Sequence, residues 1–141
     1  MMKNYKIALL LLLTAFAFTG CKKDKDDNAQ LILGKWKIQS VVETNYVNGV
    51  LDGTPETYTD DNYTLEFFAD GKVKLVDNSY SESNTYKIDG NTLTVTNLTG
   101  KTNAIQISKL TKTELSLTSE DSEVSEGKTY KEVEVENFIK Q

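Results

Sequence analysis

Apolar and polar residues alternate with a period of two along most of the chain from Leu31 onward. This period is typical of strands that bury one face. The pattern predicts eight strands, and only ENFIKQ near the C-terminus suggests a helical turn. The predicted strands are KWKIQSVVETNYV, NYTLEFF, KVKLV, YSESNTYKI, TLTVTNL, TNAIQISKL, TELSLT and TYKEVEVEN.

Short turns separate most of these strands, which favours antiparallel hairpins. The predicted turns are DG (70–71), DGN (89–91), TG (99–100) and TK (111–112). Consecutive hairpins form a meander that either closes on itself or folds into a sandwich. Because an open meander leaves two exposed edges, we expect closure into an all-β, eight-stranded antiparallel up-and-down barrel.

The apolar face of each predicted strand should fill the barrel. In the first strand, Trp36, Ser40, Thr44 and Tyr46 should share this face. In the last strand, the acidic positions 132, 134 and 136 should face solvent. The predicted interior consists of Ile38, Val42, Tyr63, Leu65, Phe67, Val73, Leu75, Tyr86, Leu93, Val95, Ile105, Ile107, Leu115, Leu117, Val133 and Val135. A barrel of eight strands is either filled by side chains or holds one small ligand, and the sequence leaves both open.

The N-terminus has a different pattern, in which Lys3 and Lys6 precede an apolar segment of 12 residues, 7–18. This segment is shorter than the roughly 20 residues that span a bilayer, so residues 1–20 are predicted to be an export signal peptide. The stretch FTGC (18–21) resembles a bacterial lipobox. The resemblance implies cleavage before Cys21, diacylglycerol on its sulfur and a further acyl chain, such as palmitate, on its amine.

Residues 21–30 are predicted to be a disordered tether, because they are charged and contain no large apolar side chain. Within it, Lys25-Asp26-Asp27 resembles the export signal of Bacteroidota-type lipoproteins. That resemblance implies lipid anchorage in the outer membrane, facing the cell exterior, although the periplasmic face stays open. The acyl chains would be the protein's only contact with the membrane.

Composition narrows the range of functions. The chain has a net charge of −5, no histidine, and lysine as its only basic residue type, so a nucleic-acid partner is not expected. A single cysteine excludes an internal disulfide, and a Cys/His zinc site is also excluded. Without histidine or a free thiol we predict no catalytic residues, no metal site and no cofactor, and therefore not an enzyme.

Four stretches together resemble the small lipocalin-like lipoproteins of Bacteroidota: LILGKWKIQSV (31–41), LEFFADGKVKL (65–75), YKIDGNTLTV (86–95) and ISKLTKTELSLT (107–118). The first contains Gly34-Lys35-Trp36, which resembles the Gly-x-Trp signature of lipocalins. The resemblance implies that residues 31–141 form a lipocalin-like barrel with Trp36 at its closed end. Lipocalins usually pack an arginine over this tryptophan; here the contact is either absent or made by a lysine, with Lys131 and Lys140 as the candidates.

By the same resemblance, the long connection 48–61, which contains Pro55, should fold as a loop over the open mouth. We predict that Tyr46, Tyr58, Tyr63 and Tyr86 bind a small, partly apolar ligand there. The alternative is a surface interaction module with a solid barrel, which would bind a protein, a glycan or an enzyme. The sequence does not identify a protein partner.

Overall fold

The computed structural model describes residues 24–59 and 62–141. The predicted signal peptide and Cys21 lie outside the described residues. The elements are α1 (Asp24–Leu31), β1 (Gly34–Val47), β2 (Val50–Tyr58), β3 (Tyr63–Phe67), β4 (Lys72–Asp77), β5 (Tyr80–Asp89), β6 (Thr92–Thr96), β7 (Thr102–Leu110), β8 (Glu114–Ser125) and β9 (Lys128–Lys140). In this part of the chain, no helix has both the length and the apolar character needed to cross a membrane.

The strands form a closed antiparallel barrel, as predicted. From β3 to β9 each strand pairs with the next along the chain, and β9 then pairs with β1. Strands β2 and β3 both pair with β1, with Tyr58 opposite Val41 and Thr64 opposite Lys37. These two segments are therefore successive pieces of one interrupted strand, and nine segments make the predicted eight-stranded barrel.

The prediction of a long loop over 48–61 is wrong, because most of this stretch is β2. Asn48 and Gly49 both have positive φ, 52° and 78°, which gives the tight turn of a two-residue hairpin. Strand β1 has 14 residues, and its second half supplies the edge on which β2 pairs. Every residue of β2 is exposed, so this segment does not cover the barrel as a lid.

One end of the barrel is closed by Trp36, as predicted. Its side chain is completely buried, and its Nε1 donates a hydrogen bond of 2.7 Å to the carbonyl oxygen of Ile32. The Nζ of Lys140 lies 4.9 Å from the centre of the Trp36 ring and donates to the carbonyl of Leu31 at 3.1 Å. Lys140 thus makes the expected cation–π contact, whereas Lys131 pairs with Glu120 at 2.6 Å.

A short helix stands where the sequence predicts a disordered tether. Residues Asp24–Leu31 form α1, which lies against the closed end. The side-chain amide of Asn28 donates to the carbonyl of Gly90 at 3.0 Å and to Asn91 Oδ1 at 3.1 Å. These bonds attach the helix to the turn between β5 and β6 and mark this turn as part of the closed end.

The structure confirms most of the predicted interior but reverses the faces of two strands. In β1, the pairing with β9 shifts register between Ile38 and Ser40, leaving Gln39 as an extra residue. Because a shift of one residue exchanges the two faces of a strand, Val41 is buried in place of the predicted Val42. Ser40, Thr44 and Tyr46 consequently leave the face that Trp36 occupies.

In β9 the predicted faces are also wrong. Phe138 is buried in the core, and side chains two residues apart share a face. Glu136 and Glu134 therefore point into the barrel with Phe138, and both line its cavity. Val133 and Val135, predicted to be interior, occupy the opposite face. The predicted helical turn at ENFIKQ is absent, because β9 continues to Lys140.

Candidate functional site: the barrel cavity

The barrel encloses a cavity of about 520 Å³. Its volume falls within the roughly 300–1,000 Å³ of small-molecule sites. Its walls come from the inner faces of strands β3 to β9 and from the turn between β6 and β7. The lining residues are Tyr63, Leu65, Phe67, Val73, Leu75, Asn84, Leu93, Val95, Asn97, Lys101, Thr102, Asn103, Ile105, Leu117, Ser119, Glu134 and Glu136.

The cavity has an apolar wall and a polar end. The polar residues of 97–103 belong to the turn between β6 and β7 and the start of β7. The preceding turn, at Gly90, lies at the closed end beside α1, so the turn after β6 lies at the opposite, open end. Apolar lining residues such as Phe67 and Leu93 belong to the buried core. A ligand would therefore meet polar groups at the entrance and apolar groups further in.

Glu136 and Glu134 stand on the β9 wall of this cavity. Across the sheet, Glu136 lies opposite Val41 on β1 and Leu117 on β8, and both of these apolar neighbours are buried. Withdrawal from water raises the pKa of Glu136 to about 7, and the nearby carboxylate of Glu134 adds to the rise. Glu136 is therefore partly protonated near neutral pH.

The four predicted tyrosines do not meet in one place. Tyr63 lines the cavity, and its ring lies 5.9 Å from that of Phe138. Tyr58 is exposed on β2, but its hydroxyl reaches Glu134 Oε2 at 3.5 Å. Some loss of water around the hydroxyl, and then the charges of the nearby carboxylates, Glu134 first, raise the pKa of Tyr58. These two tyrosines therefore lie at or near the cavity.

The other two tyrosines lie elsewhere. Tyr86 packs edge-to-face on Phe67 at 5.0 Å, and its hydroxyl donates to the carbonyl of Phe68 at 3.0 Å. Tyr46 lines a second, open cleft of about 490 Å³ between the ends of β1, β2, β8 and β9. Asp121 and Glu132 also line this cleft, yet the described residues contain no cluster of three acidic, histidine or cysteine side chains able to hold a metal ion.

Sequence reasoning missed eight polar residues that line the cavity: Asn84, Asn97, Lys101, Thr102, Asn103, Ser119, Glu134 and Glu136. The signal for the glutamates was present, because Phe138 stands in the same alternating phase as Glu134 and Glu136. Extending the last predicted strand by one residue past Asn137 would have placed both carboxylates inside. No comparable local signal identifies Asn84 or Lys101.

A barrel closed at one end, with a cavity towards the other, is the architecture of the small-molecule-binding β-barrels. A family model described as "Lipocalin-like domain" matches residues 32–117, more than half of the chain, so the protein belongs to the lipocalin-like domain family. No curated protein and no solved structure matches the chain. The family match agrees with the resemblance carried by the Gly34-Lys35-Trp36 motif.

Proposed function

We propose that this protein is a lipid-anchored binding protein of the cell surface that takes a small, partly apolar molecule into its barrel. The observation that carries the proposal is the cavity of about 520 Å³ with its apolar wall and polar end. Sites of this kind bury most of a ligand against apolar side chains and orient it with a few polar groups. The cavity favours this function over an interaction module with a solid barrel.

The proposal is binding without catalysis. Among the residues that the structure describes, the cavity lining includes no histidine and no cysteine, the side chains that most often act as base and nucleophile. The two glutamates and Lys101 instead suit recognition of a polar group. We therefore place the binding function in the barrel interior rather than at a cover formed by 48–61.

Filling the cavity tests the proposal. Ser119 lines the cavity on β8, and its replacement by tryptophan should occupy much of the interior. In a titration with the neutral dye N-phenyl-1-naphthylamine, we expect the wild-type chain to bind and Ser119→Trp to lose at least about tenfold in affinity, the equivalent of 1.4 kcal/mol. The mature chain, residues 21–141, should carry Cys21→Ser, so that neither an acyl chain nor the apolar segment 7–18 competes for the dye.

Ser83→Trp is the matched control, because Ser83 is exposed on β5 and does not line the cavity. This variant should bind the dye as the wild type does. Equal dye binding by both tryptophan variants would place the dye outside the barrel and contradict the proposed site. A melting curve for each variant separates a blocked cavity from an unfolded barrel.

The anchor is the second part of the proposal. It rests on the lipobox-like FTGC (18–21) and the Lys25-Asp26-Asp27 signal. Two acyl chains hold a protein stably at a membrane, whereas one holds it only marginally. After cell fractionation we expect the wild-type protein in the outer-membrane pellet and accessible to protease added to intact cells.

Cys21→Ser should shift the protein to the soluble fraction, because the variant has no sulfur to acylate. Ser119→Thr, a conservative change within the barrel, should stay with the membrane and serves as the control. A Cys21→Ser protein that lacks residues 1–20 and still pellets with membranes would refute the lipid anchor without bearing on the cavity.

A further inference from the structure

The carboxylates of the cavity have no cationic partner within the described part of the chain. The ion pairs found there join Lys72 to Asp70, Lys109 to Glu114 and Lys131 to Glu120. Lys101 lines the open end of the cavity, but within the described residues it forms no ion pair with Glu134 or Glu136. Glu134 accepts the long hydrogen bond from Tyr58, and Glu136 accepts none from a described residue. A carboxylate withdrawn from water without a partner destabilises a fold.

The opposite wall also presents an unmatched acceptor. In an eight-stranded barrel β5 stands across from β9, and Asn84 on β5 lines the cavity. The side-chain Oδ1 of Asn84 is buried and has no hydrogen-bond partner in the described part of the chain. Buried polar atoms are nearly always paired, so an unpaired acceptor at a cavity wall favours a ligand that brings donors.

The apolar side of the cavity requires that the part of the ligand bound there is apolar. Leu65, Leu75, Val95, Ile105 and Leu117 line it, and none of these side chains can pair with a polar group. An extended apolar chain or ring would be stabilised by burying its surface against these side chains. The two halves of the cavity together therefore select an amphiphile.

Building on the proposed binding function, we propose that the ligand is a cationic amphiphile: its apolar body fills the inner cavity and its protonated amine faces Glu136 and Glu134. An ammonium group carries three donors and no acceptor, which matches a site with surplus acceptors. Charge-assisted hydrogen bonds of this kind are about twice as strong as neutral ones. A ligand carboxylate at the same place would be repelled by both glutamates.

Three ligands with the same ten-carbon chain isolate the head group: decylamine, decanol and decanoic acid. Each is titrated at pH 8, below its micelle concentration, against the dye-loaded mature chain, residues 21–141, carrying Cys21→Ser. We expect decylamine to displace the dye about tenfold more effectively than decanol, and decanoic acid to be the weakest of the three. The order arises because only the amine can pair with an ionised Glu136.

Glu136→Gln keeps the size of the side chain and removes its charge. In this variant the affinity for decylamine should fall about tenfold, while the affinity for decanol stays within about twofold. Glu126→Gln removes one charge from the exposed turn between β8 and β9 and should leave both affinities unchanged, which excludes attraction of the amine to the acidic surface.

The outcomes distinguish this inference from the function on which it rests. If the three ligands displace the dye equally, or if Glu136→Gln weakens decanol as much as decylamine, the preference for a cation is refuted and the binding cavity remains. If the wild-type chain binds neither the dye nor any of the three ligands, the proposed function itself fails.

Discussion

Replacing Trp36 by alanine should lower the free energy of unfolding by about 3–5 kcal/mol, the range for losing a large buried aromatic side chain. The side chain is completely buried, packs with Ile32 and Phe138 in the core, and carries the Lys140 ammonium over its ring. Its removal would leave a cavity at the closed end and remove the hydrogen bond to the carbonyl of Ile32. Urea denaturation measures the change.

Two comparison variants separate these contributions. Trp36→Phe keeps most of the apolar contact but loses the indole donor, so its cost should be smaller, about 1–3 kcal/mol. Tyr80→Ala removes an aromatic ring that is 57% exposed and should cost less than about 1 kcal/mol. A Trp36→Ala cost as small as that of Tyr80→Ala would mean that the tryptophan does not close the barrel.

The second large effect is a dependence of stability on pH that comes from Glu136. Its pKa is raised from 4.5 to about 7 in the folded protein, so the folded state holds this proton more tightly than the unfolded chain does. The resulting stabilisation is complete below about pH 4.5 and is lost as the pH rises through 7. At about 1.4 kcal/mol per unit of pKa difference, the upper limit is about 3 kcal/mol. Because Glu136 is half-buried, we expect about 1–2 kcal/mol.

Several groups face Glu136 and shape this titration. Glu134 lies on the same strand and face, and Glu43 faces the same side from β1, opposite Glu134. From β8 the facing positions are Leu117 and Ser119, which do not titrate, and across the cavity stand Tyr63 and Lys101. Burial is the main reason that Glu136 keeps its proton, and the charge of Glu134 adds to it.

The measurement is the free energy of unfolding at pH 5, 6, 7 and 8 for the wild type and for Glu136→Gln. The amide cannot ionise, so the variant should gain stability relative to the wild type as the pH rises, and most of the gain should appear between about pH 5 and 7, the range between the unfolded and the folded pKa. Glu126→Gln, in an exposed turn, should show no such trend. A difference between Glu136→Gln and wild type that is constant from pH 5 to 8 would contradict the raised pKa.

The barrel itself could be predicted from the sequence because its strands follow local rules. Two of these rules are the alternation of apolar and polar residues with a period of two and the presence of turn residues such as Asp70-Gly71. Both depend only on residues that are close together in the sequence. The same kind of local signal, Asn48-Gly49, precedes β2, so the hairpin that replaced the predicted loop was also recognisable. Nine exposed residues with Gly53 and Pro55 among them give no apolar alternation, which is why the strand was not predicted.

The orientation of side chains in β1 depends on a contact that no local rule describes. The extra residue at Gln39 arises where β1 pairs with β9, about 100 residues away in the chain. Local alternation from Trp36 and Ile38 therefore predicted that Val42 faces the interior. In the structure, the extra residue at Gln39 moves this interior position to Val41. Register between distant strands is fixed by the whole core, not by either strand alone.

The candidate site was harder to predict than the fold for the same reason. Tyr63 was correctly expected on the inner face, and the apolar wall of the cavity follows from the predicted interior. Glu134 and Glu136 were assigned to solvent because alternating valine and glutamate usually buries the valines. Because Phe138 at the end of β9 is buried, the residues two and four positions before it, Glu136 and Glu134, face the interior instead of the valines. Both carboxylates therefore line the cavity, where a ligand can reach them.

Native mass spectrometry of the protein purified from its own cells tests the central claim most directly, because a molecule held in the barrel adds its mass to that of the chain. The account predicts a single small molecule bound one-to-one to the wild type and to Ser83→Trp, and its loss from Ser119→Trp. The account is contradicted if the folded wild-type protein carries no such molecule, or if Ser119→Trp retains it in full.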